Sequence, residues 1–168
     1  MPDWSFMEDF NFSSNVVYEN LNSLREQYPF FQIGSAGKSI LGKDIPYVRI
    51  GRGQKEVFYS AAIHANEWIT SIILLEFMHE YCAAIQNNST IWGFSARRLF
   101  ECVSIYIMPI VNPDGVDLVT GALPPSSESY QQAQEIANNF PNIPFVEGWK
   151  ANIRGVDLEN LQPFCKAL

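Results

Sequence analysis

"EVFYSAAIHANEWIT", residues 56 to 70, joins the two patterns that decide the fold. Its first half is a short and nearly continuous apolar run, which is typical of a strand buried on both faces in an α/β sheet. After His64, apolar residues cover most of a helix surface as far as Ile85. The stretch therefore predicts a strand and then a well-buried helix with Asn66 as its N-cap. Ligands of open α/β sheets bind where strands end, which directs attention to residues 64 to 67.

His64 and Glu67 stand three residues apart at this junction. A His at the end of a strand and a Glu in the first helical turn can turn toward one point. Both are zinc ligands, and a catalytic zinc has three protein ligands and a water. The spacing leaves a second interpretation open, in which Asn66 caps the helix, Glu67 complements the helix dipole and His64 is a hydrogen-bonded histidine.

Upstream, the pattern predicts one helix and one hairpin. Val17, Leu21 and Leu24 recur at helical spacing after a pair of serines, so a helix is expected to end before Pro29. Residues 30 to 51, "FFQIGSAGKSILGKDIPYVRIG", predict two strands joined by a glycine-containing turn.

Downstream, the pattern predicts a helix over about residues 89 to 99, a strand over about 102 to 111 and a helix over about 130 to 139. Strand, helix, helix and strand imply a parallel crossover. No internal repeat or linker divides the chain, so we expect an α/β fold in which residues 1–168 are a single domain.

Composition excludes some partners. Hydrophobic residues make up 47% of the chain and charged residues 17%, which is the range of a folded globular domain. The net charge is −7, and Lys and Arg form no stripe along which a phosphate backbone could lie. We therefore expect no nucleic-acid partner.

The three cysteines, Cys82, Cys102 and Cys165, lack close C-x-x-C pairing and are expected to be reduced, buried thiols. The N-terminus has no basic and apolar regions of a secretory signal, and no apolar run approaches the roughly 18 residues of a spanning helix. These patterns favour a cytoplasmic protein without a membrane partner.

Three further motifs are ambiguous or misleading. "GSAGKS", residues 34 to 39, copies the end of a phosphate-binding loop, but the required earlier Gly is replaced by Gln32, so we interpret it as a turn. "NPDG", residues 112 to 115, is typical of a type I turn. In "NIRGVDL", residues 152 to 158, Arg154 could polarise a carbonyl if it faced the same cleft. Asp114 and Asp157 are interpreted as turn residues.

The order of the motifs adds a resemblance. "IHANEWIT", "MPIVNPDGVDLVTG" and "WKANIRGVDL" follow one another as in the zinc carboxypeptidase family, which the chain resembles from about residue 15 to 158. The likeness is strongest to the bacterial branch that cleaves γ-D-glutamyl-diamino-acid bonds in cell-wall peptides. It implies a mixed, mostly parallel sheet with helices on both faces. It also implies that His64 and Glu67 bind zinc and that Arg154 polarises the scissile carbonyl, so the cofactor is zinc and the partner a peptide substrate.

The chain also departs from that family. The resemblance requires a third ligand, a His well after "GVDL", and a catalytic Glu still later, whereas the other histidine here is His79. On a continuous helix His79 lies roughly 18 Å beyond Glu67, too far to complete the site. We therefore expect a chain truncated after "GVDL", in which the C-terminal part of the family fold is missing.

Three expectations follow from the missing C-terminal part. Zinc should bind weakly or not at all to this chain alone, and peptide hydrolysis should be absent. The alternative is a non-catalytic domain that keeps a peptide-binding or structural role. Uncovered apolar surface should lead to self-association.

Overall fold

The computed structural model describes residues 12–159. They form a mixed four-stranded sheet, a short two-stranded hairpin and five α-helices. The strands are β1 Gln32–Lys38, β2 Asp44–Ile50, β3 Lys55–Ser60, β4 Thr90–Ile91, β5 Phe94–Ser95 and β6 Val103–Met108. The helices are α1 Ser14–Gln27, α2 Ile69–Gln86, α3 Ala96–Cys102, α4 Pro113–Val119 and α5 Glu128–Ala137, with a 3₁₀ turn at Ala65–Glu67.

The main sheet has the order β1, β2, β6, β3. β3 and β6 are parallel, as the crossover predicts, whereas β1 with β2 and β2 with β6 are antiparallel. The mixed α/β architecture is confirmed. Within the described residues, however, antiparallel pairings outnumber parallel ones, because the hairpin of β1 and β2 joins the sheet through β2.

The core lies on one face of this sheet. Val48, Ile50 and Ile107 point into it and are completely buried. Leu24 of α1 and Met78 of α2 belong to the same cluster, so both helices cover this face. The periodic apolar positions of α1 are thereby confirmed as its buried side.

The opposite face stays more open in the described residues. Alternation along the strands places Tyr47 and Phe58 there, and they are 36% and 58% exposed. The expected helices on both faces are thus seen on one face within residues 12–159. In this part of the chain β3 is an edge strand with mostly exposed residues, so the prediction of a strand buried on both faces was wrong.

Several local predictions differ from the structure. Asn66 is no helix cap, because a 3₁₀ turn precedes α2 and the cap position is Trp68. The segment predicted as a helix from residue 89 is a hairpin as far as Ser95 and becomes helical after it. "NPDG" begins α4, with the Asn112 side chain accepting a hydrogen bond from the Gly115 amide.

The cysteines are partly as expected. Cys82 is buried, and burial raises the pKa of its thiol to about 12, so it stays protonated. Cys102 is an exposed free thiol, which contradicts the prediction of burial, and Cys165 lies outside the described residues.

Among the described residues, one helical segment, Ala65–Gln86, is long and apolar enough to cross a membrane by length and composition, with a mean hydropathy of 1.2. A core helix of a globular domain passes the same test, and α2 contributes eight buried residues to this protein. The expectation of no membrane partner stays a prediction.

Candidate metal centre

The loop after β3 carries His64 to the end of the sheet. The amides of Val111 and Asn112 donate hydrogen bonds to the carbonyls of Ala61 and Ala62, which extends the contact between the two parallel strands beyond their ends. Ala62 has a φ of 48°, and this left-handed backbone turns the chain away from the strand direction. The loop is therefore held on one side by β6.

The start of α2 holds the other side of this loop. The Thr70 hydroxyl accepts a hydrogen bond from the Ala62 amide at 2.9 Å and donates one to the Glu67 carbonyl at 2.7 Å. The Ala65 amide donates to the Lys150 carbonyl at 3.0 Å. His64 and Glu67 thus lie on a short segment fixed at several points.

Asn112 connects three pieces of chain beneath the site. Its buried amide donates to the carbonyls of Ile63 and Ala151, at 3.3 and 3.0 Å. A Cβ on Gly115 would lie 2.8 Å from Cβ of Ala65 and still nearer to Asn112, so this close approach requires glycine. The "NPDG" motif, residues 112 to 115, which the sequence alone predicts to be a plain turn, therefore supports the candidate site.

His64 and Glu67 are brought together as the spacing predicts. Nδ1 of His64 lies 3.0 Å from Oε1 of Glu67. The imidazole is 9% exposed and the carboxylate 49%, so the pair is reachable from solvent on the Glu67 side. This proximity is compatible with a hydrogen bond and with two ligands that converge on one metal.

The other ring nitrogen of His64 faces two carboxylates of the C-terminal loop. Nε2 lies 3.6 Å from Oδ1 of Asp157 and 3.4 Å from Oε2 of Glu159. A carboxylate behind a metal-binding histidine fixes the tautomer and orients the ring. Sequence reasoning treated Asp157 as a turn residue. Its place two residues after a glycine turn gave no signal that it would reach His64.

Zinc chemistry fits this donor pair. An imidazole nitrogen and a carboxylate oxygen are zinc ligands, and bonds of about 2.1 Å in tetrahedral geometry place two donors roughly 3.4 Å apart. The observed 3.0 Å is close to that separation. Asp157 and Glu159 lie at the opposite nitrogen, and within residues 12–159 no group of three His, Cys, Asp or Glu side chains could hold a metal.

Arg154 lies on the same loop as Asp157, in an exposed turn. Oδ1 of Asn152 accepts hydrogen bonds from the amides of Arg154 and Val156, at 2.9 and 3.1 Å, and Gly155 has a φ of 75°. The backbone of this turn is well defined by these bonds. The role of the Arg154 guanidinium stays a prediction.

His79 lies away from this group, on the inner side of α2. Its Nε2 is 3.2 Å from Oδ1 of Asn20 on α1. Burial lowers the pKa of His79 below its ordinary value of 6.5. The second histidine therefore belongs to the contact between two helices.

Comparison with known proteins identifies the family of this chain. A family model described as "Zinc carboxypeptidase" matches residues 17–160. The chain belongs to the zinc carboxypeptidase family. It is 40% identical over 153 residues to "Gamma-D-glutamyl-L-diamino acid endopeptidase 1" of Lysinibacillus sphaericus, covering 91% of this chain and 38% of that protein. It is 35% identical to the uncharacterized protein YqgT of Bacillus subtilis, covering 90% of this chain and 40% of that protein.

Solved structures of this family share the fold. Bovine thrombin-activatable fibrinolysis inhibitor, solved with a tick carboxypeptidase inhibitor, superposes with a TM-score of 0.57 at 20% identity, covering 84% of this chain and 37% of that one. Carboxypeptidase A of Helicoverpa armigera gives 0.56 at 24% identity, with 67% and 28% covered. The chain spans about two fifths of the length of the Lysinibacillus and Bacillus relatives, so the activity of a whole protein remains a proposal.

Proposed function

We propose that this chain contributes the first part of a zinc peptidase site, with His64 and Glu67 as metal ligands and Arg154 at the scissile carbonyl. The observation that carries this proposal is the 3.0 Å approach of His64 Nδ1 to Glu67 Oε1 at the end of the sheet. The family assignment supports zinc as the metal.

The proposed substrate is a peptide with a γ-D-glutamyl-diamino-acid bond, as in bacterial cell walls. Support comes from the relative named as an endopeptidase for such bonds, which is similar to this chain over 91% of its residues. The family match over residues 17–160 includes the stretches that carry His64, Asn112 and Arg154. It spans 38% of that relative, so specificity determinants elsewhere in the relative have no counterpart among the aligned residues.

Each residue has a distinct proposed task. Bound zinc would polarise the carbonyl and lower the pKa of a coordinated water. His64 and Glu67 would hold it, while Asp157 would accept a hydrogen bond from His64 Nε2 and keep Nδ1 unprotonated. Arg154 would donate hydrogen bonds to the carbonyl oxygen as negative charge develops there.

Two protein ligands are fewer than a catalytic zinc normally has. We therefore predict that this chain alone binds zinc weakly and does not cleave a γ-D-glutamyl-diaminopimelate peptide. Metal analysis after dialysis against zinc is expected to give well below one zinc per chain. A near-stoichiometric content, or turnover of the peptide, would show this prediction to be wrong.

Matched histidine variants test the ligand assignment. His64→Gln is expected to abolish the residual zinc affinity measured by calorimetry, while His79→Gln should leave it unchanged because His79 contacts Asn20. Equal zinc binding by both variants would contradict the assignment of His64.

Arg154 is tested by complementation. The corresponding C-terminal portion of the Lysinibacillus relative would be mixed with this chain, and peptide cleavage measured. If cleavage appears, Arg154→Ala should lower it by roughly 10²–10³-fold, the usual effect of removing one oxyanion donor. Unchanged cleavage by that variant would remove Arg154 from the proposed site.

A second candidate function is peptide binding without chemistry. A cavity of about 280 Å³, lined in part by Phe140, Phe145 and Trp149, borders Asp157 beside the candidate metal centre. Binding of the same peptide in the presence of a chelator, with no cleavage after complementation, would favour this function over hydrolysis.

A further inference from the structure

A second, smaller apolar core lies beside the candidate metal centre. Its buried members are Ala65, Leu118, Ala133, Trp149 and Ile153. Ala65 stands between the two proposed ligands, Ala133 belongs to α5, and Ile153 is part of the turn at residues 152–155 that carries Arg154. One apolar cluster therefore joins the proposed metal-binding segment, α5 and this turn, which we call the Arg154 turn.

α5 directs one side toward this small core. The helix begins after Ser127, whose side chain accepts a hydrogen bond from the Tyr130 amide at 3.3 Å. Tyr130, Ala133 and Ile136 follow at intervals of three residues, which places them on the same side of a helix. Ala133 is completely buried, and the other two side chains pack against the cluster. Ile136 is thus the last contact that this side of α5 makes with the core.

Ile136 meets the Arg154 turn at Gly155. A Cβ built on Gly155 would lie 2.9 Å from Cγ2 of Ile136 and 3.6 Å from its Cδ1. Ile136 therefore fills the space that a side chain at position 155 would occupy. Gly155 also has a φ of 75°, which residues other than glycine rarely adopt. The turn and the close approach of α5 both require glycine at this position.

Arg154 is consequently held from both sides. Ile153 before it is buried in the small core, with 4% of its surface exposed, and Gly155 after it contacts Ile136. The hydrogen bonds that Asn152 accepts fix the internal shape of the turn, but they do not fix its place on the protein. Contacts outside the turn, among them those of Ile153 and Ile136, set that place.

We propose that Ile136 is a positioning residue, which packs on Gly155 and so holds the Arg154 turn in place relative to residues 64–67. The inference rests on the proposed role of Arg154 at the scissile carbonyl. Misplacement of a reacting group by about 1 Å can lower a rate by roughly 10²-fold. Ile136 therefore acts on the reaction through Arg154, from a helix that supplies no metal ligand in the proposed site.

Limited digestion with trypsin measures how firmly the turn is held, because the cut after Arg154 requires this segment to open. Ile136→Ala should raise the rate of that cut by about tenfold, since truncation of a packed isoleucine removes most of the contact with Gly155. Cleavage after Lys38, at the end of β1, is the internal reference and should not change.

Ile143→Ala is the matched control. Ile143 packs on Gly148 in the same manner, since its Cγ2 lies 2.5 Å from the position of a Cβ there. Loss of this contact should leave the cut after Arg154 at the wild-type rate. Ile136→Val should also stay near that rate, because valine keeps a methyl group at the position of Cγ2, the atom that approaches Gly155.

A double-mutant cycle tests whether the effect on catalysis passes through Arg154. The measured quantity is kcat for peptide cleavage by this chain in complex with the C-terminal portion of the Lysinibacillus relative. Ile136→Ala should lower kcat by about tenfold when Arg154 is present and should change it little in the Arg154→Ala background. Ile136→Val should restore most of the activity.

Circular dichroism of each variant establishes that it folds, and Gly155→Ala disturbs the same contact from the other side and should also speed the cut. A cut after Arg154 that is no faster in Ile136→Ala than in Ile143→Ala overturns the proposal. Equal losses of kcat with and without Arg154 overturn it too. A loss confined to KM does the same, because it would assign Ile136 to the 280 Å³ cavity that it lines.

The digestion needs no activity, which separates this inference from the proposed function. A complex that cleaves no peptide would contradict the proposed function, and the rates of cleavage by trypsin would still decide whether Ile136 holds the turn.

Discussion

The two edges of the four-stranded sheet, as residues 12–159 form it, differ in their sequences. β1 carries Gly34 and Gly37, its register against β2 shifts between Ser35 and Lys38, and charged Lys38 ends it. β3 contains no glycine or proline and pairs regularly over its whole length. Irregular and glycine-containing edges resist pairing with another chain, whereas regular edges accept it. The sequence features of β1 therefore resist pairing with a further strand, whereas those of β3 permit it.

The β1 edge is also anchored to the rest of the protein. Asp114 accepts hydrogen bonds from the Ser39 hydroxyl and the Leu41 amide in the turn after β1. Lys43 donates to Asp117 at 2.5 Å and lies 3.7 Å from Asp114. No such network joins the described residues to the outer side of β3, and this contrast suggests three measurements.

The largest expected effect is at the anchor of β1. Lys43→Met should lower the free energy of unfolding by about 2–4 kcal/mol, because it leaves two buried carboxylates without their cation. Denaturant titration measures the loss. Lys38→Met is the control, since the Lys38 pair with Asp44 is more than half exposed and should change stability little. Similar losses in the two variants would contradict an anchoring role for Lys43.

A smaller effect is expected where β1 meets β2. The Tyr47 ring covers Gly34, and a Cβ at Gly34 would lie 2.3 Å from Cζ of that ring. Gly34→Val should displace Tyr47 and cost about 1–3 kcal/mol. Ala36→Val adds a similar side chain to an exposed position of the same strand, and thermal melts should show little change. A stable Gly34→Val variant would mean that the ring moves freely.

The smallest effect concerns α2, whose Phe77 ring contacts the Tyr59 ring of β3. Burial lowers the pKa of His79 in the folded chain, so the unfolded chain binds the proton more tightly. The stability due to neutral His79 is complete above pH 6.5 and is lost as the pH falls from there through the lowered pKa. His79→Gln should flatten this part of the pH profile of unfolding. An unchanged slope would show that His79 is solvated in the folded state.

Sequence reasoning predicted the parts of the fold that depend on local periodicity. The apolar repeat of α1, the hairpin of β1 and β2 and the long helix α2 all have patterns that tertiary contacts reinforce. It failed for β3, because an apolar run has the same appearance at an edge as in the middle of a sheet. It also failed near residue 90, where Trp92 and Gly93 adopt positive φ in a tight hairpin.

The candidate site was predictable to a similar degree. The approach of His64 to Glu67 follows from three residues of spacing at the start of a helix. The contact of His64 with Asp157 joins segments 93 residues apart, and no periodicity reports such a contact. The role of Asn112 was equally unpredictable from the sequence, because its support of the site depends on carbonyls of two distant loops.

The first turn of α1 is hydrogen-bonded to a residue that the ribosome adds much later in synthesis. The amide and hydroxyl of Ser14 donate hydrogen bonds to the Asp117 carboxylate, 103 positions further along the chain. At synthesis rates of roughly 5–20 residues per second, Ser14 is made about 5–20 s before Asp117. These hydrogen bonds at the first turn of α1 can therefore form only after Asp117 has been made.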